Sequence, residues 1–269
     1  MPQSESPPKS LAIHYLPQFV GEADQAGATV VVIDLLRAST TICSALAAGA
    51  ASVRPFLEVG EVIRAAEQLD RGQLDRGQLD RGQLVLGGER GGEIIPGFDL
   101  GNSPAEYSGD VVFGKQVLFT TTNGTAALRH ARLAERIVVG AMVNLSAVVE
   151  AIADADDLQL LCAGTNGHVT REDRLAAGAI AHQVLLRDPG RELTDPARRT
   201  LGEWQELLTA AQAFNRSASE QLAVELRDTQ GGKNLIALDM QDDLPRCAQI
   251  DKLDLVPIYD PQTGAITAK

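Results

Sequence analysis

Residues 34–41, Asp-Leu-Leu-Arg-Ala-Ser-Thr-Thr, put a carboxylate, a guanidinium and three hydroxyls directly after the apolar run 29–33. If that run is a strand of a parallel sheet and a helix follows, this is where ligands bind in open α/β folds. The helix start offers free backbone N–H groups and the positive end of its dipole to an anion. Ser39, Thr40 and Thr41 add hydroxyl donors, Arg37 can grip a phosphate or carboxylate, and Asp34 can hold a cation. The plainer reading makes Ser39 an N-cap and Asp34 a turn residue.

Two further clusters have the same placement. Residues 120–125, Thr-Thr-Thr-Asn-Gly-Thr, follow the apolar run 117–119 and contain no acid, so Thr121, Asn123, Gly124 and Thr125 suit an oxyanion better than a metal. An ordinary capped turn would use the same residues. The run 158–162 leads into Gly164-Thr165-Asn166-Gly167 and then Glu172-Asp173. Acids at a helix start usually complement its dipole, and Thr170 with Asp173 fits a capping box. A fourth stretch, 87–110, holds seven glycines, two prolines and no periodicity, yet carries Glu89, Arg90, Glu93, Asp99, Asn102 and Ser103. A structureless connection of that length is usually functional or disordered. The convergence of all these groups at equivalent ends of parallel strands is a stronger signal than any one of them.

The elements that must hold these residues follow from periodicity. Apolar runs at 29–33, 117–119, 137–139 and 158–162 alternate with helical stripes. One stripe runs from Ile42 through Ala45 and Leu46 to Gly49, a natural C′ residue; a second, capped by Asn144, carries Val148, Ala151 and Ile152. Others carry Ala176, Ile180 and Val184, and Trp204, Leu207, Leu208 and Ala211. The expected fold is α/β, a three-layer sandwich with a largely parallel or mixed sheet and helices on both faces. Residues 1–10 read as a flexible tail and 11–269 as a single α/β domain, with room for two lobes around a cleft. Pro257 cannot donate to a central ladder, so 253–259 is expected to form a closing or edge strand. Asp-Arg-Gly-Gln-Leu occurs three times over 70–84, too short a period for a solenoid, and reads as a tandem expansion of a helix end or surface loop.

Composition narrows the function. A net charge of -12 argues against a broad basic surface for nucleic acid or anionic lipid, and no apolar run is long enough to span a membrane. The three cysteines are scattered, which excludes a disulfide framework or zinc knuckle and fits a reducing cytoplasm. The phosphate-loop and dinucleotide glycine fingerprints are both missing. A cysteine phosphatase needs arginine six residues after its nucleophile, where Cys162 has His168. The Asp-x-Asp-x-Thr pattern fails at Leu36. His14, His130 and His182 lie in strand-like or helical runs and read as structural.

Taken together, VVIDLLRASTTI (31–42), LGGERGGEIIPGFDLGNSPAEY (86–107), FTTTNGTAAL (119–128), the LCAGTNG and REDRLAAGAI segments (161–180) and the closing DLPRCAQIDKLDLVPIY resemble the 2-phosphosulfolactate phosphatase family. The resemblance runs in order over about residues 11–258. It implies a magnesium-dependent hydrolase that converts 2-phospho-3-sulfolactate to 3-sulfolactate and phosphate, a step of coenzyme M biosynthesis in methanogens. On that basis Asp34, Glu89 and Asp173 are expected to hold Mg2+ directly or through water, with Glu172 as a nearby substitute. Arg37 and Arg90 would grip the small anionic substrate, and Thr121, Asn123, Gly124 and Thr125 would cradle one end of it. Ser39, Thr40, Asn102 and Ser103 complete the expected substrate site. A metal-activated water is the first choice of nucleophile, with Asp34 as transient phospho-acceptor left open. The departures are the pentapeptide expansion and Leu35-Leu36 with Ser39, where the family reads closer to Asp-Val-Leu-Arg-Ala-Thr; the hydroxyl is kept. A phosphatase of broader 2-hydroxy-acid phosphates and a non-catalytic sensor of a phosphorylated or sulfonated metabolite remain alternatives, and a homo-oligomer stays open.

Overall fold

The computed structural model describes residues 8–74 and 83–269. The expected tail falls mostly at 1–7, outside the described residues, and strand β1 (Ser10–His14) opens the fold. The first pentapeptide unit ends helix α2 (Val59–Leu74), while 75–82, the second unit and most of the third, lie outside the described residues.

The strand-helix alternation appears as expected. Strand β2 (Thr29–Ile33) leads to α1 (Ala38–Ala47), and β3 (Ser52–Pro55) to α2. Then come β4 (Leu84–Arg90), the short β5 (Glu93–Ile94), α3 (Gly109–Val112), β6 (Gln116–Thr120) with α4 (Gly124–His130), and β7 (Arg136–Val139) with α5 (Leu145–Ala151). Strand β8 (Asp157–Cys162) leads to α6 (Arg171–Arg187), β9 (Glu192–Leu193) to α7 (Asp195–Ala213). Three helices, α8 (Ala218–Leu226), α9 (Gln230–Ala237) and α10 (Asp243–Cys247), precede the hairpin β10 (Pro257–Asp260) and β11 (Ala265–Ala268).

Successive side chains of a strand point to opposite faces, and β2 feeds two cores in this way. Val31 and Ile33 join a core with Ile180 and Val184 of α6 and Trp204 and Leu207 of α7. Val30 and Val32 join another with Ile42 and Leu46 of α1 and Leu128 of α4. Each such buried aliphatic contributes about 1.5–3 kcal/mol relative to exposure, which is why a five-residue run with no polar alternation is stable only between two helical layers. The result is a three-layer α/β fold with a mixed, mostly parallel sheet. No helix among the described residues is long and apolar enough to cross a membrane.

The sheet runs β5-β4-β6-β3-β11-β10-β7-β2-β8-β1-β9. Strands β7, β2, β8, β1 and β9 are mutually parallel, as are β3, β6 and β4. Between these blocks sits the antiparallel hairpin, β10 on β7 and β11 on β3. Three antiparallel steps reverse the second block relative to the first. The expected edge position of 253–259 is therefore corrected: β10 is central. Proline is tolerated there because Pro257 is the first residue of the strand and the ladder to β7 begins at Ile258.

Helix α6 is buried along most of its length and meets α7 at Gly178, where an added Cβ would lie 2.6 Å from the Thr200 carbonyl oxygen. Gly→Ala inside a helix normally stabilises by about 0.5–1 kcal/mol. Here we expect the opposite sign, a loss of about 1–3 kcal/mol from overpacking. Chemical denaturation of Gly178→Ala measures it, and a gain in stability would refute the close α6–α7 approach.

Candidate active site

Asp34 leaves the buried end of β2 into the turn before α1. Its backbone N–H donates to Ser39 Oγ at 2.9 Å, and Thr40 Oγ1 donates to the Leu35 carbonyl at 3.1 Å. Ser39 and Thr40, expected to touch substrate, instead brace this turn; both are buried. The Asp34 carboxylate receives backbone N–H groups of Ala38 and Gly124, the first residues of α1 and α4. Two helix N-termini thus converge on one acid. Burial first, and the charge of Glu89 next, still push its pKa up to about 7.

Glu89 is the penultimate residue of β4, beside Gly88, whose φ of +141° and contact with the Thr120 carbonyl oxygen, 2.0 Å from a built Cβ, leave no room for a side chain. Its Oε1 accepts from Thr122 N at 2.8 Å and Thr122 Oγ1 at 3.0 Å, and Oε2 from Gly92 N at 2.7 Å. Glu89 therefore ties the β4–β5 turn to the β6–α4 turn. Asn123 extends the tie, its Oδ1 accepting from Asn166 N after β8 at 2.9 Å. In a flat sheet the carboxyl ends of the two opposed blocks would lie at opposite edges. Strand twist of roughly 20–25° per step, over the steps from β2 to β6, turns them toward one another. The expectation of equivalent ends of one parallel sheet is thus replaced by two blocks facing across a cleft.

That cleft, of about 320 Å³, is lined by Asp34, Arg37, Glu89, Asn102, Thr122 and Asn123, with Asn166 from the β8–α6 turn and Gly231, Asn234 and Leu238 from α9 and its C-cap. Asn102 is buried, held by Thr41 Oγ1 on its carbonyl at 2.8 Å, and its side-chain Oδ1 has no partner. A buried amide oxygen left unpaired beside a cavity is the kind of group a ligand satisfies.

Both arginines expected to grip the substrate have protein partners. The Arg37 guanidinium borders the cleft but is 3% exposed and already engaged: Nη1 meets Asp243 Oδ2 at 2.8 Å and Nη2 donates to the Gly92 carbonyl at 3.0 Å. Arg90 turns away, donating to the carbonyls of Glu89 and Leu57 and to Thr120 Oγ1. Apart from Glu89 beside Arg90, these partners lie 30 or more positions away in sequence, so residue type alone does not reveal them. Ser103 Oγ also serves Asp243, at 2.7 Å, and Thr125 Oγ1 donates to the Thr121 carbonyl at 2.7 Å, so both hydroxyl protons are engaged within the protein. Thr121 Oγ1 is buried without a partner, and Gly124 presents its N–H to Asp34.

The Thr170–Asp173 capping box does not form. Asp173 Oδ1 accepts from Leu35 N and Oδ2 from Gly164 N, both at 2.9 Å, stapling the turns after β2 and β8. Burial, then Asp34 and Glu172, push its pKa well up. Glu172 Oε1 accepts from Gly231 N at 2.8 Å, while its buried Oε2 has no partner. Asn144 likewise does not cap α5; its amide bonds Ala141 N and the carbonyls of Val139 and Leu255. His168 is exposed and does not line the cleft. Sequence reasoning missed the α9 wall and Asp243. The Gly231-Gly232 pair behind Thr229, which caps α9, was the available signal for the first; Asp243 stood inside the closing motif with no role assigned.

A model of the 2-phosphosulpholactate phosphatase family matches residues 15–262. The chain belongs to that family. A probable 2-phosphosulfolactate phosphatase of Symbiobacterium thermophilum is 40% identical over 87% of this chain and 92% of its own length. Proteins of the same description from Caldanaerobacter subterraneus and Cyanothece sp. are 36% and 33% identical, over 88% and 95% of this chain and 90% and 98% of theirs. The chain therefore belongs to a family of phosphoric monoester hydrolases.

Proposed function

We propose that the chain is a magnesium-dependent phosphatase that hydrolyses 2-phospho-3-sulfolactate to 3-sulfolactate and phosphate. The observation that carries the metal requirement is electrostatic. The cleft presents Asp34 and Glu89, and the one cation lining it among the described residues, Arg37, is paired with Asp243. A substrate with phosphate, carboxylate and sulfonate groups would meet net repulsion there without a cation between. Among the described residues no three His, Cys, Asp or Glu side chains group to hold an ion by themselves. Mg2+ does not ask for that, since it keeps several waters and commonly takes one or two carboxylates plus substrate oxygens. The oxygen-only donor set and the unpaired Asn102 Oδ1 suit such a hard ion. Asp34 and Glu89 would hold it, Asp173 and Glu172 positioning the loops around them, and when bound it supplies charge neutralisation on the phosphoryl oxygens.

The protein's own groups would do the rest. Thr122 and Gly92 hold the Glu89 carboxylate in place, and the amides of Asn102, Asn123 and Asn234 offer donors and acceptors to the substrate without adding charge. Attack of water at phosphorus breaks the ester P–O bond, whose electrons leave with the lactate oxygen, which then takes up a proton. Transient attack by the Asp34 carboxylate is the alternative route.

Phosphate release from 2-phospho-3-sulfolactate is expected to rise with magnesium and to fall at least about 100-fold in excess chelator, a margin of about 2.7 kcal/mol. Full turnover in chelator would overturn the metal assignment. Comparison with 2-phospholactate, which lacks the sulfonate, separates the narrow substrate from the broader class, and absence of turnover on either favours a sensor.

A further inference from the structure

A second, larger cleft of about 660 Å³ shares no lining residue, among the described residues, with the proposed catalytic one. Among the described residues its wall carries Arg54, Arg64, Arg129 and Arg132 against a single acid, Glu61, in a chain of net charge -12. The three arginines that matter come from different elements: Arg54 from β3, Arg64 from α2 and Arg129 from the last turn of α4. Glu61 is already engaged, accepting from the backbone N–H groups of Leu57 and Glu58 at 3.2 Å, and Arg132 is paired with Glu22 at 2.7 Å. No acidic side chain among the described residues pairs with Arg54, Arg64 or Arg129.

Helix chemistry explains part of this. A cation in the last turn of α4 complements the dipole, which accounts for Arg129. It does not account for Arg54, which rises from a strand inside the sheet, covers the Phe56 ring at 5.8 Å and has a buried Nε with no partner. Tyr259 from β10 lines the same cleft as these arginines. Like charges from separate elements, gathered in a concavity of ligand size, favour a counter-charge.

We propose that this cleft is a second binding site, for a small phosphorylated metabolite carrying at least two negative charges, held by Arg54, Arg64 and Arg129. Guanidinium groups suit phosphate because their N–H forks match its oxygens, and Phe56 and Tyr259 give the remainder of the molecule aromatic surface. Helix α4 follows its N-cap residue Asn123 at the first cleft and carries Arg129 here, so one short element joins both sites.

Calorimetric titration of metal-free protein with inorganic pyrophosphate, at low ionic strength, tests this. We expect saturable binding that weakens at least about 10-fold in Arg64→Gln/Arg129→Gln and stays within about threefold in Asp34→Asn, where the catalytic acid is altered. Both arginines are exposed, and thermal melts report whether the double variant is folded; Arg54→Gln is the second variant and is expected to weaken binding as well. Phosphate release by Arg64→Gln/Arg129→Gln should stay within about threefold of wild type. No saturation in wild type, equal affinity in the folded arginine variants, or loss of binding in Asp34→Asn with the arginine variants unaffected would each overturn the second site. Because the titration needs no turnover, its result stands apart from that of the phosphatase assay.

Discussion

Asp34→Asn is expected to abolish phosphate release while making the metal-free protein harder to melt. The loss follows from the place of this carboxylate, at two helix N-termini and facing Glu89 across the cleft; removing its charge should slow turnover by at least about 1,000-fold, or about 4 kcal/mol of barrier. The gain follows from linkage. The Asp34 carboxyl sits at about 7 in the folded chain against an ordinary 3.8, so the folded state holds a proton that the unfolded state has lost. Its contribution to stability is complete below pH 3.8 and is lost as pH rises toward 7. The asparagine carries no such penalty, so the Tm difference, variant minus wild type, should grow between about pH 4 and pH 7 and level off above. At pH 7.5 the variant should melt several degrees higher, at about 2–4 °C per kcal/mol for a domain of this size. Thermal scans across pH in chelator measure the difference. A variant that melts lower than wild type at pH 7.5 would refute the repulsion ascribed to this cluster.

Arg37→Met is expected to give the largest loss of stability. It leaves Asp243 buried and charged with Ser103 as its remaining side-chain partner, and such a half-broken pair costs about 3–5 kcal/mol. That is on the order of 10 °C in Tm. Arg37→Met/Asp243→Asn removes the stranded charge and should recover a good part of the loss, which a double-mutant cycle reads directly. An Arg37→Met protein melting within about 2 °C of wild type would return the guanidinium to substrate binding.

What was legible in the chain follows from how local each signal is. The run Val30 to Ile33 announces a doubly covered strand because burial on both faces leaves no polar position. Asp34, Glu89, Asn102 and Asn123, all singled out from the sequence, line the cleft; polar turns after apolar runs are local signals, whereas the meeting of these turns across the two blocks is a tertiary one. The fate of Arg37 and Arg90 was not legible, since a guanidinium's partner is set by tertiary contact, and Asp243 stands 206 positions away. Asp173 shows the same limit: Thr170-x-x-Asp173 is a good local capping pattern, yet Leu35 N and Gly164 N win its oxygens. Pro257 misled because proline's exclusion from ladders depends on its place within the strand.

The central hairpin has a consequence for how the chain reaches its native state. Residues 257–268 follow both parallel blocks in sequence yet pair with β7 on one side and β3 on the other. Until they are synthesised and docked, the nascent protein carries two open strand edges rich in unpaired backbone donors and acceptors. Closing them is a long-range step that comes late, after the helices that follow β8 have been made, and long-range pairing is slow. The interval before the hairpin arrives is therefore when this chain is most prone to self-association and most in need of a chaperone.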